Sequence, residues 1–177
     1  LALKMTLYRM SASSPVAAAL ERAAERGKQV AAIIELRARF DEEANIAWAR
    51  RLEKAGVHVV YGLPNYKIHG KACLVVRMEQ GGIRRYCHMG TGNYNERTSR
   101  IYSDLGMFTA RPEFGEDLSQ FFNFLTGYTR PPQFNRLILA PQSFRRAITE
   151  RIEREGRHAQ EGKPARMILK MNALVDP

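Results

Sequence analysis

Apolar positions in the first third of the chain follow two rhythms. Lys4–Arg9 (KMTLYR) reads as a short strand, followed by a polar turn at Ser11, Ser13 and Ser14. Ser14 is placed to cap a helix whose first turn accepts Pro15. Val16, Ala19, Leu20 and Ala23 recur at helical spacing to about Arg26, and Gly27 stops the run. Gln29–Leu36 (QVAAIIEL) is apolar with little alternation, as expected of a parallel strand covered on both faces. Asp41 can cap a second helix, with Glu42 and Glu43 favoured in its first turn. Ile46, Ala49, Arg50 and Leu52 share its broad inner side, with Trp48 at the border. Gly56 ends the helix and VHVVYG forms a third strand. This β-α-β-α-β order predicts an α/β layered domain with a mostly parallel central sheet flanked by helices and right-handed crossovers. Its functional edge is expected at the strand carboxyl ends. Arg9 and Arg39 each follow a strand and are delivered to that edge, although a salt bridge to Glu42 would equally occupy Arg39.

The pattern changes at Tyr66–Asn95. A strand carrying His69 and Lys71, a connection through Gly81-Gly82 and a returning strand lead into the turn Gly90-Thr91-Gly92-Asn93-Tyr94-Asn95. Glu96–Ser99 reads as a short turn, Tyr102–Thr109 as an extended segment, and Pro112 introduces a helix around Phe114–Leu125. TGYTRPP marks a boundary, which divides the chain into residues 1–131 and 132–177. Beyond it come RLILAP, a polar helix near Phe144–Arg157 and a short strand ARMILK.

Composition narrows the class. A hydrophobic content of 45% and a charged content of 26% are ordinary for a globular protein. No apolar run approaches a membrane span, and the opening residues lack a signal-peptide pattern, so a cytoplasmic location is expected. The formal net charge is +10, with 17 basic against 10 acidic residues up to Ala110 and 11 against 8 beyond it. A polyanionic partner fits this balance, whether nucleic acid, nucleotide or inorganic polyphosphate. Cys73 and Cys87 are expected as buried thiols, and the histidines lack the spacing of a zinc site.

His69 and Lys71 suit work on phosphate. On a regular strand they point the same way, so an imidazole nitrogen can attack phosphorus while the ammonium meets the oxygens. Gly90 and Gly92 let backbone N–H groups approach an anion, and Asn93 or Asn95 can orient an imidazole or bind an oxygen. There is no G-x-x-x-x-G-K-[ST] sequence, so a nucleotide would be held without a P-loop.

The H-x-K strand followed by G-T-G-N resembles half of a phospholipase D-like site. The acidic residue usual five places after the lysine is absent, with Val76 there instead. The wider text is more specific. MTLYR, ELRARFDEEANIAWARRLEKAGVHVVYG, KIHGK, RRYCHMGTGNYNERTSRIYSDLG and FFNFLTGY closely resemble the bacterial long-chain polyphosphate kinases over essentially the whole chain. That resemblance implies a phospholipase D-like layered fold. It implies ATP–polyphosphate phosphotransfer through a phosphohistidine at His69, with Lys71 holding phosphate. Arg9 and Arg39 would organise phosphate around Mg2+, Tyr102 in TSRIY would contact nucleotide, and Gly90, Thr91, Gly92, Asn93 and Asn95 would form the anion-binding turn. The expected partners are ATP/ADP, inorganic polyphosphate and further catalytic domains of a homo-oligomeric parent, with no specific nucleic acid. Residues 1–131 would be the first catalytic domain and 132–177 the beginning of the second, and the isolated chain would lack sustained activity. A phospholipase D-like phosphodiesterase or nuclease, or a non-enzymatic polyanion-binding module, are the alternatives.

Overall fold

The computed structural model describes residues 1–8, 10–11, 13–35, 42–63, 66–127, 130, 132–171 and 173, without the side chain of Glu42. Arg9, Arg39 and the Asp41 cap lie outside them. The chain forms two compact units, Leu1–Arg136 and Leu137–Pro177.

The first unit is built on one sheet. Its strands among the described residues are β1 (Ala2–Leu7), β2 (Gln29–Ile34), β3 (His58–Tyr61), β4 (Lys71–Glu79), β5 (Gly82–Gly90) and β6 (Gly106–Thr109), in the order β3-β2-β1-β4-β5-β6. The helices are α1 (Pro15–Glu25), α2 (Glu42–Lys54), α3 (Glu96–Ser99) and α4 (Pro112–Leu125). Ser14 caps α1 as its position requires, its Oγ accepting from Ala17 N at 3.2 Å.

The expected mostly parallel sheet is corrected. β1–β2 and β2–β3 are parallel, but β1–β4, β4–β5 and β5–β6 are antiparallel. Parallel neighbours need a crossover of a dozen or more residues, usually a helix. α1 and α2 supply that for the first three strands. Only Gln80 and Gly81 separate β4 from β5, so those strands must run oppositely, and Gly82 takes the backbone round with a φ of 108°.

Leu3, Met5 and Leu7 share a face with Val30, Ala32 and Ile34. α1 and α2 cover that face with Ala17, Leu20, Trp48, Ala49 and Leu52. On α2 the inner stripe is Asn45, Trp48, Ala49 and Leu52, whereas Ile46 and Arg50 are exposed. Lys4, on the other face of β1, donates to Asn123 Oδ1 of α4 at 3.0 Å. α4 packs on β4 and β5 and buries Leu118, Phe121, Phe122 and Leu125. Each such side chain contributes about 1.5–3 kcal/mol of burial. The result is a mixed sheet between helical layers.

The second unit contains α5 (Phe144–Gln160). The strand expected at Ala165–Lys170 does not form. Those residues are exposed and pair with no neighbouring strand among the described residues, and a lone strand has nothing to satisfy its backbone. Among the described residues no helix is long and apolar enough to cross a membrane.

Candidate functional site

One edge of the sheet gathers the chemistry. β1, β2 and β3 finish there, β4 starts there, and β5 ends there because its Gly90 is the partner of Lys71. β3 lies at one side of the sheet and β4 beyond β1, so the connection from Tyr61 to Lys71 must cross the ends of β2 and β1. His69 belongs to this crossing segment. It precedes β4 instead of lying on a strand, and it is exposed.

Side chains from the strand ends hold the crossing segment. Glu35, 4% exposed just after β2, accepts from Ile68 N at 2.8 Å. Thr6, 2% exposed on β1, donates to Gly70 O at 2.7 Å and accepts from Ala72 N at 2.9 Å. Asn45, fully buried on α2, joins the two strand ends by donating to Tyr8 O at 2.9 Å and Glu35 O at 3.0 Å. The Tyr8 and His69 rings stand nearly perpendicular to each other, with centroids 4.8 Å apart.

Lys71 is buried at 6% exposure, yet its Nζ reaches the exposed imidazole, 3.2 Å from Nδ1 and 3.1 Å from Nε2. The Nζ of Lys71 and that of Lys67 each lie 5.4 Å from the centre of the Tyr8 ring. The expected imidazole and ammonium are therefore brought together, His69 from the irregular segment and Lys71 from the first position of β4.

The glycine-rich turn stands beside it through the Lys71–Gly90 register. Its polar groups are partly committed. Thr91 N donates to Leu105 O at 3.0 Å, and Thr91 Oγ1 donates to Asp104 Oδ1 at 2.9 Å. Gly92 has the Asp104 carboxyl group against its Cα. Asn95 caps α3, its Oδ1 accepting from Arg97 N and Thr98 N at 3.0 and 3.2 Å. The Oδ1 of Asn93 is buried with no hydrogen-bond partner among the described residues. Behind the turn, His88 Nδ1 and Tyr94 Oη are 2.7 Å apart. Burial lowers the His88 pKa and pushes the Tyr94 hydroxyl well above its usual range, so both are neutral near pH 7. Tyr102 is exposed at 56%, after α3.

Among the described residues no three His, Cys, Asp or Glu side chains gather as a metal site. Thr6, Tyr8, Glu35 and Asn45 are the site residues that motif reading missed. Asn45 carried a signal, being polar at a position in register with the apolar 48/49/52 stripe of α2.

Two family profiles match the chain. One described as "Polyphosphate kinase C-terminal domain 1" matches residues 1–131, and one described as "Polyphosphate kinase C-terminal domain 2" matches residues 137–177. The chain belongs to the polyphosphate kinase family. The polyphosphate kinases of Thermosynechococcus vestitus and Mycolicibacterium gilvum are each 58% identical to it over 176 residues, 99% of this chain and 24% of theirs. A crystal structure of polyphosphate kinase from Porphyromonas gingivalis superposes with a TM-score of 0.78 at 37% identity, covering 91% of this chain and 27% of that one. The chain thus spans about a quarter of the length of these polyphosphate kinases.

Proposed function

We propose that this chain is the phosphoryl-accepting part of a polyphosphate kinase, and that His69 carries the phosphate between ATP and polyphosphate. The observation that carries the reading is the exposed His69 ring with the Lys71 ammonium 3.1–3.2 Å away, beside the Gly90–Asn95 turn. A ring nitrogen attacks the terminal phosphorus of ATP in line. The N–P bond forms as the P–O bond to ADP breaks, while the other ring nitrogen carries the ring proton. An oxygen at the polyphosphate terminus then attacks the same phosphorus, breaking the N–P bond and lengthening the polymer by one unit. The relay splits one transfer into two, each with a good leaving group. Lys71 neutralises the charge on phosphate oxygens.

Arg9 and Arg39 are assigned to phosphate oxygens by family likeness, since guanidinium has no lone pair for a metal. Tyr102 is assigned to the nucleotide, and Asn93 and Asn95 to the anion-binding turn. Mg2+ is expected to arrive on the nucleotide phosphates. The described residues do not form a cage for it, and no step assigned to this chain runs through the ion. The limits of the two family profiles support reading residues 1–131 as a first catalytic domain and 132–177 as the start of a second. Completion of the cleft then falls to the rest of a homo-oligomeric parent, and the isolated chain lacks sustained turnover.

The test is mass spectrometry of the ATP-treated full-length parent under non-acidic conditions, with His69→Ala as control. One phosphate on His69, lost in the variant together with polymer synthesis, is the expected result. Phosphate on another residue, or full turnover by the variant, refutes the reading. Phosphodiester cleavage without transfer would favour the phosphodiesterase alternative.

A further inference from the structure

We propose that Thr6 and Glu35 are positioning residues that hold the His69 backbone from both sides, an inference that rests on His69 being the phosphoryl acceptor. A histidine on a regular strand takes its place from the ladder. His69 lies before that ladder, because β4 begins at Lys71 and the β1–β4 register reaches only to Met5 and Cys73. Where that pairing stops, the Thr6 hydroxyl takes over. Its single proton goes to Gly70 O at 2.7 Å, and its lone pair receives Ala72 N–H at 2.9 Å, so one buried oxygen ties down both neighbours of Lys71. On the other side of His69, the buried Glu35 carboxylate receives Ile68 N–H at 2.8 Å. The four backbone links of residues 68–72 are thereby fixed at three points by side chains from two adjacent parallel strands, β1 and the end of β2. The exposed ring needs this, because in-line attack tolerates little displacement of the nucleophile.

The experiment uses the full-length parent with Thr6→Val, which keeps the shape and removes the hydroxyl, and Thr6→Ser, which restores it. Glu35→Leu and Glu35→Gln make a matching pair, because glutamine keeps an acceptor oxygen. Single-turnover labelling of His69 by ATP is expected to slow about 10–100-fold in Thr6→Val. Half-saturation by ATP should stay at the wild-type value, and Thr6→Ser should recover the rate. Amide hydrogen exchange in the peptide spanning Ile68–Ala72 should quicken in Thr6→Val alone of that pair, and Glu35→Gln should label faster than Glu35→Leu. Wild-type labelling per folded molecule in Thr6→Val, or no recovery by serine, overturns the proposal. If the wild type itself carries no phosphate on His69, the functional reading fails and the positioning role falls with it. That result differs from a labelled wild type with an equally labelled valine variant.

Discussion

Lys71 Nζ is almost equidistant from the two ring nitrogens of His69, at 3.2 Å from Nδ1 and 3.1 Å from Nε2. A donor lying in the ring plane along one lone pair would be far from the other nitrogen. The ammonium therefore sits over a face of the ring, out of the plane of both lone pairs. A charge held there can meet an incoming phosphate without blocking the attacking atom.

Lys71→Met should separate these roles. Methionine keeps most of the buried stem's apolar packing and removes only the charge. His69 should still accept phosphate from ATP, but with transfer slowed by about 10²–10³, as for loss of one group aimed at developing charge. Rapid-quench labelling of the full-length parent measures this. Arginine should not substitute, because its planar fork needs room that the 6%-exposed site does not offer.

Asn45→Leu tests the clamp behind the site. Leucine would extend the apolar stripe of α2, so pattern alone predicts a gain. The carbonyls of Tyr8 and Glu35 would then lose the Asn45 amide that bridges them. The expected outcome is a loss of about 1–3 kcal/mol, read from urea unfolding of the parent. Equal or greater stability would show that the bridge contributes nothing net.

The same residue shows how far the sequence could be read. Helical spacing alone puts Ile46, Ala49, Arg50 and Leu52 on one broad side of α2, whereas the buried set is Asn45, Trp48, Ala49 and Leu52, so only Ala49 and Leu52 are common to both. A buried amide breaks the pattern that locates it. The parallel start of the sheet was legible because each crossover helix announces itself locally, with Ser14 and Gly27 marking the ends of α1. The antiparallel half was legible only in part: the short Gly81-Gly82 connection implies a returning strand, but nothing local tells that β4 also pairs with β1 in the antiparallel sense. Motif spacing pointed to His69 and Lys71, whose side chains the structure brings together. It did not find Thr6, whose hydrogen bond to Gly70 spans 64 positions and follows from strand order alone.

Cys73 supplies a pH signature of the intact sheet. Burial pushes its thiol from the ordinary 9.0 up to about 11, and the neighbouring Cys87 thiol adds to the effect. Cys73 pairs with His88 whereas Leu74 pairs with Cys87, so the two thiols face opposite sides of the sheet and remain free. Between pH 9 and about 11 the unfolded chain releases a proton that the folded chain retains. This contribution to stability is therefore complete below pH 9 and is lost as pH rises through the folded value. Urea midpoints measured across that window should fall more steeply for the wild type than for Cys73→Ala. Parallel curves would show that the thiol is not protected.

Gly92 is required for space. Its φ lies outside the left-handed range, so an alanine meets no backbone strain there. A Cβ would instead stand 2.5 Å from Cγ and 3.0 Å from Cβ of Asp104, closer than side chains pack. Asp104 is held in place by the Thr91 hydroxyl at 2.9 Å, which ties the carboxyl group to the turn itself. Gly92→Ala should push the two apart and cost about 1–3 kcal/mol, as overpacking does elsewhere. Asp104→Ala removes the crowding carboxyl group, so alanine at 92 should cost less in that background. The expected coupling is at least about 0.5 kcal/mol. Transfer activity of the parent should follow the same order, because the turn lies beside Lys71 through the Gly90 register. Strict additivity of the two substitutions would mean that the turn relaxes without help, and Gly92 would then owe its place to something other than Asp104.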